Sequence, residues 1–310
     1  MALLVCATAM VAAVMAHVLS DTFGDKASLF SARRAAVQLA LMQEFAMEEA
    51  RMKSELHAAS LTMRSLRRKR RGGTRPELRS VALVRAFMWP NRRLTWTAAT
   101  THWVTRRAIP GDLVETGVYT GAATIAMLEA LRREPPLPVG SSKRVWACDS
   151  FRGLPAPDQV DRAQCSDPSR KCKVGYRGQF KARRQEFESN LARFGVGSAS
   201  TLRVAAGWFS ELPQTAVPQL TRSRIAFLRI DADIHSSTRD VLEALYPLVA
   251  PSGIVYVDDY DSYGGCAVAV DEYRAAHNIT APMHPIVERD HWGGNGSDAW
   301  HYDAVWWQKV

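Results

Sequence analysis

Cysteine is scarce. The 310-residue chain holds five, at Cys6, Cys148, Cys165, Cys172 and Cys266, with no CxxC pair, which argues against both a disulfide-built scaffold and a structural zinc site. The GxGxxG turn of dinucleotide sites is missing too, since Val118 and Tyr119 fill the middle of the one glycine turn that follows an apolar strand. A uniformly basic face is also absent. The net charge is +9, but Arg64 to Arg79 alone contributes eight basic residues and one acid, leaving +2 for the other 294 positions. A nucleic-acid-binding surface spread over the chain is therefore excluded. One apolar run is long, from Ala2 to Leu19, and no Lys or Arg precedes it. It reads as a cleaved signal or an uncleaved anchor, with a buried helix of a cytosolic protein as the remaining option.

What is present divides in three. Ala27 to Leu66 lacks Pro and Gly and carries Val37, Leu41, Phe45 and Met52 at helical spacing, predicting an amphipathic helix that packs or self-associates. The run Arg67 to Gly73 ends it as a solvated linker, with nuclear targeting, proteolysis or a lipid contact as other uses. Beyond Pro110, short apolar runs alternate with helical stretches, the pattern of successive βα units around a parallel sheet. Residues 1–20 are thus expected to be a signal or anchor, 21–79 a helical stalk and basic linker, and 80–310 the functional domain, with its core at 111–310.

Chemistry concentrates at the predicted strand ends. The segment Asp112 to Gly121 (DLVETGVYTG) reads as a strand ending at Glu115, a turn through Gly117 and Gly121, and a helix whose first amides face a ligand. The next strand ends at Asp149, an acid placed to accept hydrogen bonds from ribose hydroxyls, or more simply a turn or cap residue. Two acids beside one glycine loop form the pattern of an S-adenosylmethionine (SAM) site. Further on, RIAFLRID ends at Asp231 and IVYVDDY at Asp258 and Asp259. Adjacent parallel strands release their ends on one edge, so these three carboxylates are expected to meet and to need a hard cation such as Mg²⁺. Asp233 reads as a helix cap and Asp261 as a turn residue.

VETGVYTGAAT, ACDSFRGLP, GWFSELP, FLRIDADIHSSTRDVLEALYP, SGIVYVDDY and CAVAVDEYRAAHNI, in this order from about Gly111 onward, resemble the macrocin O-methyltransferase family. The resemblance implies a class I methyltransferase, a Rossmann-like doubly wound α/β sheet, mostly parallel with an antiparallel C-terminal strand, preceded here by the helical extension. It implies SAM contacts at Glu115, Thr116, Gly117, Gly121, Asp149 and Ser150, a Mg²⁺ site at Asp231, Asp258 and Asp259, and Asp231 as catalytic base. The acceptor would be a hydroxyl of a sugar or glycoside, with no nucleic-acid partner. His235 departs from the family pattern near the metal strand and is a candidate acceptor contact. So are His291, Trp292, Trp300 and His301 in the late Gly-rich loop, unless that loop simply packs on its own aromatics.

Two rivals are weighed against this. Asp231-Ala-Asp233 is a DxD triplet, and anchor, stem and C-terminal domain is the layout of a secretory glycosyltransferase; that reading leaves VETGVYTG and the VDDY acids unexplained. A non-catalytic tethered protein on a methyltransferase scaffold leaves the complete set of acids unused. Sequons at Asn278 and Asn295 and a possible Cys165–Cys172 bridge suit secretory or membrane-anchored placement, with a cytoplasmic enzyme otherwise. Residues 2–19 would supply the tether, and the Ala27 to Leu66 helix a homo-oligomer contact.

Overall fold

The computed structural model describes residues 39–44, 46–47, 92–135, 142–164, 173–289 and 300–310. The expected apolar segment 2–19, the basic run Arg67 to Arg71, Cys165, Cys172, His291, Trp292 and Asn295 lie outside these residues. Among the described residues no helix is long and apolar enough to cross a membrane.

The architecture is built on a seven-stranded sheet. In chain order the elements are α1 (Arg92–Arg106), β1 (Asp112–Thr116), α2 (Ala122–Arg133), β2 (Val145–Asp149), α3 (Gln159–Gln164), α4 (Arg184–Phe194) and β3 (Leu202–Ala206). They continue with α5 (Leu212–Thr215), α6 (Val217–Ser223), β4 (Ile225–Ile230), α7 (His235–Leu245), β5 (Val249–Val257), α8 (Gly264–Ala276), β6 (His284–Arg289) and β7 (Trp300–Gln308). The strand order is β3-β2-β1-β4-β5-β7-β6. Strands β1 to β5 pair in parallel, and β7 runs antiparallel to both β5 and β6. The expected doubly wound sheet with an antiparallel C-terminal strand is therefore the observed fold.

Both faces of the sheet are covered, so its strands carry apolar residues in both registers. Trp146, Cys148, Val255 and Val257 enter one core with Val241 and Leu245 of α7. Val145, Ala147, Ile254 and Tyr256 enter the other with Trp96, Ala99 and Trp103 of α1 and Leu128 of α2. Leu41, from the predicted amphipathic stretch, is fully buried in this second core, and Glu44 pairs with Arg106 at 2.9 Å. At that point the stretch packs on the domain, the packed option of the sequence reading.

The strand order reverses between β1 and β4, where a doubly wound sheet opens its binding crevice. Gly117 and Asp231 leave the sheet side by side there, the Asp231 amide donating to the Thr116 carbonyl at 2.8 Å. Deeper in the sheet, Phe227 and Tyr256 meet edge to face with ring centroids 6.5 Å apart. Phe227→Ala should cost about 3–5 kcal/mol through lost contacts and a cavity, read as a lower midpoint in chemical denaturation; an unchanged midpoint would show that this face does not depend on the pair.

Candidate active site

Period-2 alternation places Glu115, Arg229 and Tyr256 as cross-strand neighbours on one face, in registers Glu115↔Arg229 and Arg229↔Tyr256. Arg229 is 3% exposed and organises the edge. Its Nη1 donates to Asp231 at 2.6 Å and reaches Glu115 at 3.4 Å, its Nη2 donates to Asp258 at 2.7 Å, and its guanidinium carbon lies 5.3 Å from the Tyr256 ring centroid. The Tyr256 hydroxyl donates to the same Asp258 oxygen at 2.9 Å. From α1, Arg93 donates to the other Asp258 oxygen at 2.7 Å and stands 3.7 Å from Asp259.

Both oxygens of Asp258 are thus engaged. Burial alone would raise its pKa, but Arg229 and Arg93 hold it below the ordinary carboxylate value. The other three carboxylates of the cluster are Asp231, Asp233 and Asp259, each offering an oxygen within 4.8 Å of the others; of these Asp231 accepts from Arg229 at 2.6 Å and Asp259 stands 3.7 Å from Arg93. Burial, then repulsion from Asp258 and Asp231, pushes Asp259 well above its normal range. Burial, followed by Asp231 and Asp258, brings Asp233 up to about 8. Desolvation and Asp258 raise Asp231 as well, against the pull of Arg229. The expected trio of Asp231, Asp258 and Asp259 is brought to one edge, with Asp233 as a fourth member and Asp258 tied to arginines. Asp233 is not the expected helix cap, since the N-cap of α7 is Ile234 with no side-chain cap bond; its φ of 59° is unusual for a residue with a side chain, and such backbone strain collects at functional sites.

These carboxylates form the floor of a cavity of about 330 Å³. Gly117, Tyr119, Asp149, Ser150, Trp208 and Phe209 line it as well, with the buried Tyr263, while the exposed Lys173 and Phe180 mark its mouth. Gly117 has no alternative, since a Cβ there would sit 1.7 Å from the Asp231 carbonyl oxygen, and its φ is +86°. Gly121 adopts φ +97°, and a Cβ would press on the Phe187 ring at 2.7 Å.

The expected SAM contacts separate into two groups. Gly117, Asp149 and Ser150 border the cavity. Asp149 accepts from the Val118 and Tyr119 amides at 2.7 and 3.2 Å and from Phe151 at 2.6 Å, so it shapes the glycine loop while keeping lone pairs for a ligand. Ser150 donates to the Gly153 carbonyl at 3.2 Å. Glu115 and Thr116 lie beneath the loop. Glu115 accepts from Thr124, and burial pushes its carboxyl up to about 8. Gly121 packs against α4 instead of facing the cavity.

His235 is not among the residues that line the cavity. Its ring nitrogens contact Asp158 at 2.8 Å and Glu272 at 3.3 Å, and its amide donates to Asp161, so it pins α3 onto the start of α7. Trp300 and His301 stand on β7, paired with Arg289 and Glu288 of β6. Arg93 and Arg229 escape sequence reading, because basic residues at a predicted metal site give no positive signal. In FLRID, however, the i, i+2 spacing of Arg229 and Asp231 does put both on one face.

The family of macrocin O-methyltransferases matches residues 10–293. This chain belongs to that family. A Streptomyces olivaceus enzyme, 8-demethyl-8-(2,3-dimethoxy-alpha-L-rhamnosyl)-tetracenomycin-C 4'-O-methyltransferase, is 33% identical over 179 residues, 57% of this chain and 63% of that one. The chain therefore spans less than two thirds of that relative. Demethyldecarbamoylnovobiocin O-methyltransferase of Streptomyces niveus is 34% identical over 203 residues, 65% of this chain and 67% of that one. The solved O-methyltransferase NovP superposes with a TM-score of 0.54 at 30% identity, covering 70% of this chain and 79% of NovP. Family membership leaves the DxD glycosyltransferase reading without support, because Asp231 and Asp233 belong to a methyltransferase sheet edge.

Arg229→Met should destabilise the chain by about 3–5 kcal/mol, the cost of leaving buried carboxylates uncompensated; a thermal midpoint equal to wild type would contradict this role. A pH effect follows as well. Glu115 and Asp233 keep their protons to about pH 8 when folded, yet release them near pH 4 when unfolded. The folded state binds more protons within that window, so metal-free stability should fall as pH rises through it. Added Mg²⁺ should restore stability near pH 8 far more than near pH 5; equal restoration at both would contradict the assignment.

Proposed function

We propose that this chain is a SAM- and Mg²⁺-dependent O-methyltransferase acting on a hydroxyl of a sugar or glycosylated natural product. One observation supports the reading most: at the crevice of a family member's sheet, a glycine loop and an Asp149 carboxylate border the same cavity as a cluster of carboxylates that outnumbers the two arginines beside it. The rhamnosyl and novobiocin compounds in the relatives' names support a glycoside as acceptor.

The donor set suits a hard divalent cation, since it is all carboxylate oxygen and loses its mutual repulsion on binding. Asp231 and Asp259 would hold it, being common to the sequence-expected set and the observed cluster, with Asp233 and Asp258 adjoining. On the other side, the Gly117 turn leaves room for SAM, Asp149 has acceptor capacity for its ribose, and Trp208 and Phe209 offer apolar surface. When bound, SAM supplies an electrophilic methyl group and Mg²⁺ the positive charge that lowers the pKa of an acceptor hydroxyl.

The remaining work falls to the chain. Gly117 and Asp231 leave adjacent strands, so donor and acceptor surfaces are fixed relative to each other by backbone, which supplies orientation. Asp233 accepts the hydroxyl proton at a carboxylate oxygen. Its side chain borders the cavity beside Asp259, whereas Asp231 is bound to Arg229 at 2.6 Å. Asp233 is thus proposed as the base in place of Asp231, the residue that the family resemblance implies.

Asp259→Asn should reduce methyl transfer by about a hundredfold or more and weaken Mg²⁺ binding in calorimetry, with SAM still bound; full activity would sink the metal assignment. Asp233→Asn should lower kcat by about 10²–10⁴-fold while Mg²⁺ and SAM affinities stay near wild type. Undiminished kcat in that variant would return the base role to Asp231.

A further inference from the structure

We infer that the acceptor carries an oxyanion group beside its reacting hydroxyl, recognised by a basic ribbon at the cavity mouth; this rests on the methyl-transfer reading above. The charge of +2 outside Arg64 to Arg79 conceals a segregation. Five carboxylates line the cavity, namely Asp149, Asp231, Asp233, Asp258 and Asp259. Above them, Lys173 to Arg184 carries five basic residues, Lys173, Lys181, Arg177, Arg183 and Arg184, and no acid.

The ribbon is fixed to the site. The Lys173 amide donates to the Ser262 carbonyl at 2.9 Å, just past the Asp258-Asp259 pair. The Leu154 amide donates to Gln179 and the Gly178 amide to Leu154, both at 2.9 Å, joining the ribbon to the segment that bears Arg152. Gln179 also donates to the Tyr263 hydroxyl at 3.4 Å. Lys173 and Phe180 from the ribbon, and Gly153 and Leu154 from its partner segment, line the cavity. Arg184 pairs with Glu188, but Arg152, Arg177, Lys181 and Arg183 make no ion pair with any described residue.

Lys173 stands over the Tyr263 ring at 5.5 Å and Arg184 pairs with Glu188, while the remaining like charges on this ordered loop repel one another. A neutral glycoside would have no use for them. A phosphate, sulfate or carboxylate on the acceptor would meet this ribbon while the hydroxyl reaches the carboxylate floor. A field of this kind raises anion capture by about 10–10³-fold at low salt and fades as the Debye length shortens to about 10 Å near 0.1 M.

The test is equilibrium binding of glucose 1-phosphate, glucuronate and methyl glucoside to the full chain with Mg²⁺ present. The phosphate arm should bind about tenfold or more tighter than the neutral one and weaken with salt; the glucuronate arm shows whether one negative charge suffices or a phosphate is required. Lys173→Glu with Lys181→Glu should erase the preference. Equal binding of charged and neutral sugars, or a preference that survives the double reversal, overturns the inference. SAM titration of wild type and variant is read separately: loss of SAM binding by the wild type would sink the methyltransferase reading, whereas SAM binding without anion preference sinks only this one.

Discussion

A single buried guanidinium holds the reactive edge together. Arg229 lies on the central strand of the switch point and touches Glu115 on one neighbour, Asp258 beyond the other, and Asp231 on its own strand. Without it, five acids converging from three strand ends would repel in a low-dielectric setting and the edge would open. With it, Asp258 is tied at both oxygens and Asp231 at one, which leaves Asp231, Asp233 and Asp259 as the acids whose oxygens gather within 4.8 Å of one another. Arg93 adds a second guanidinium from α1, so the helix before the first strand is part of the site and not merely packing.

The sheet then does the positioning. Thr116, Ile230 and Val257 end three adjacent strands in register, and the residues that follow them, Gly117, Asp231 and Asp258, are stitched by backbone hydrogen bonds of 2.8 Å from Asp231 to Thr116 and from Asp258 to Ile230. A cavity bounded by rigid strand ends on one side and by loops on the other suits chemistry that asks chiefly for alignment. The loop from Lys173 to Arg184 brings basic charge to that other side.

Much of this could be read in the order of residues. Short apolar runs closed by Asp149, Asp231 and Asp258 mark parallel strands whose ends share an edge, and the glycines at 117 and 121 mark the turn. Other features were beyond reach. Asp258 looks the same as Asp259 in VDDY, and only the three-dimensional approach of Arg93, 165 positions away, distinguishes them. Asp233 reads as a cap because its strained φ is a tertiary property. His235 looks like a site residue through its neighbours in sequence, but its ring turns toward Asp158 and Glu272. Counting charge over the whole chain averaged out the opposition between an acidic floor and a basic mouth.

The central claim is that the acids at the ends of β4 and β5 are a cation site. Crystals soaked in Mn²⁺, with anomalous scattering collected at its absorption edge, test it most directly. The account predicts one strong peak in the cavity, with oxygens of Asp231 and Asp259 at about 2.1–2.3 Å. A cavity with no peak, its carboxylates still held by Arg93 and Arg229 alone, would contradict it.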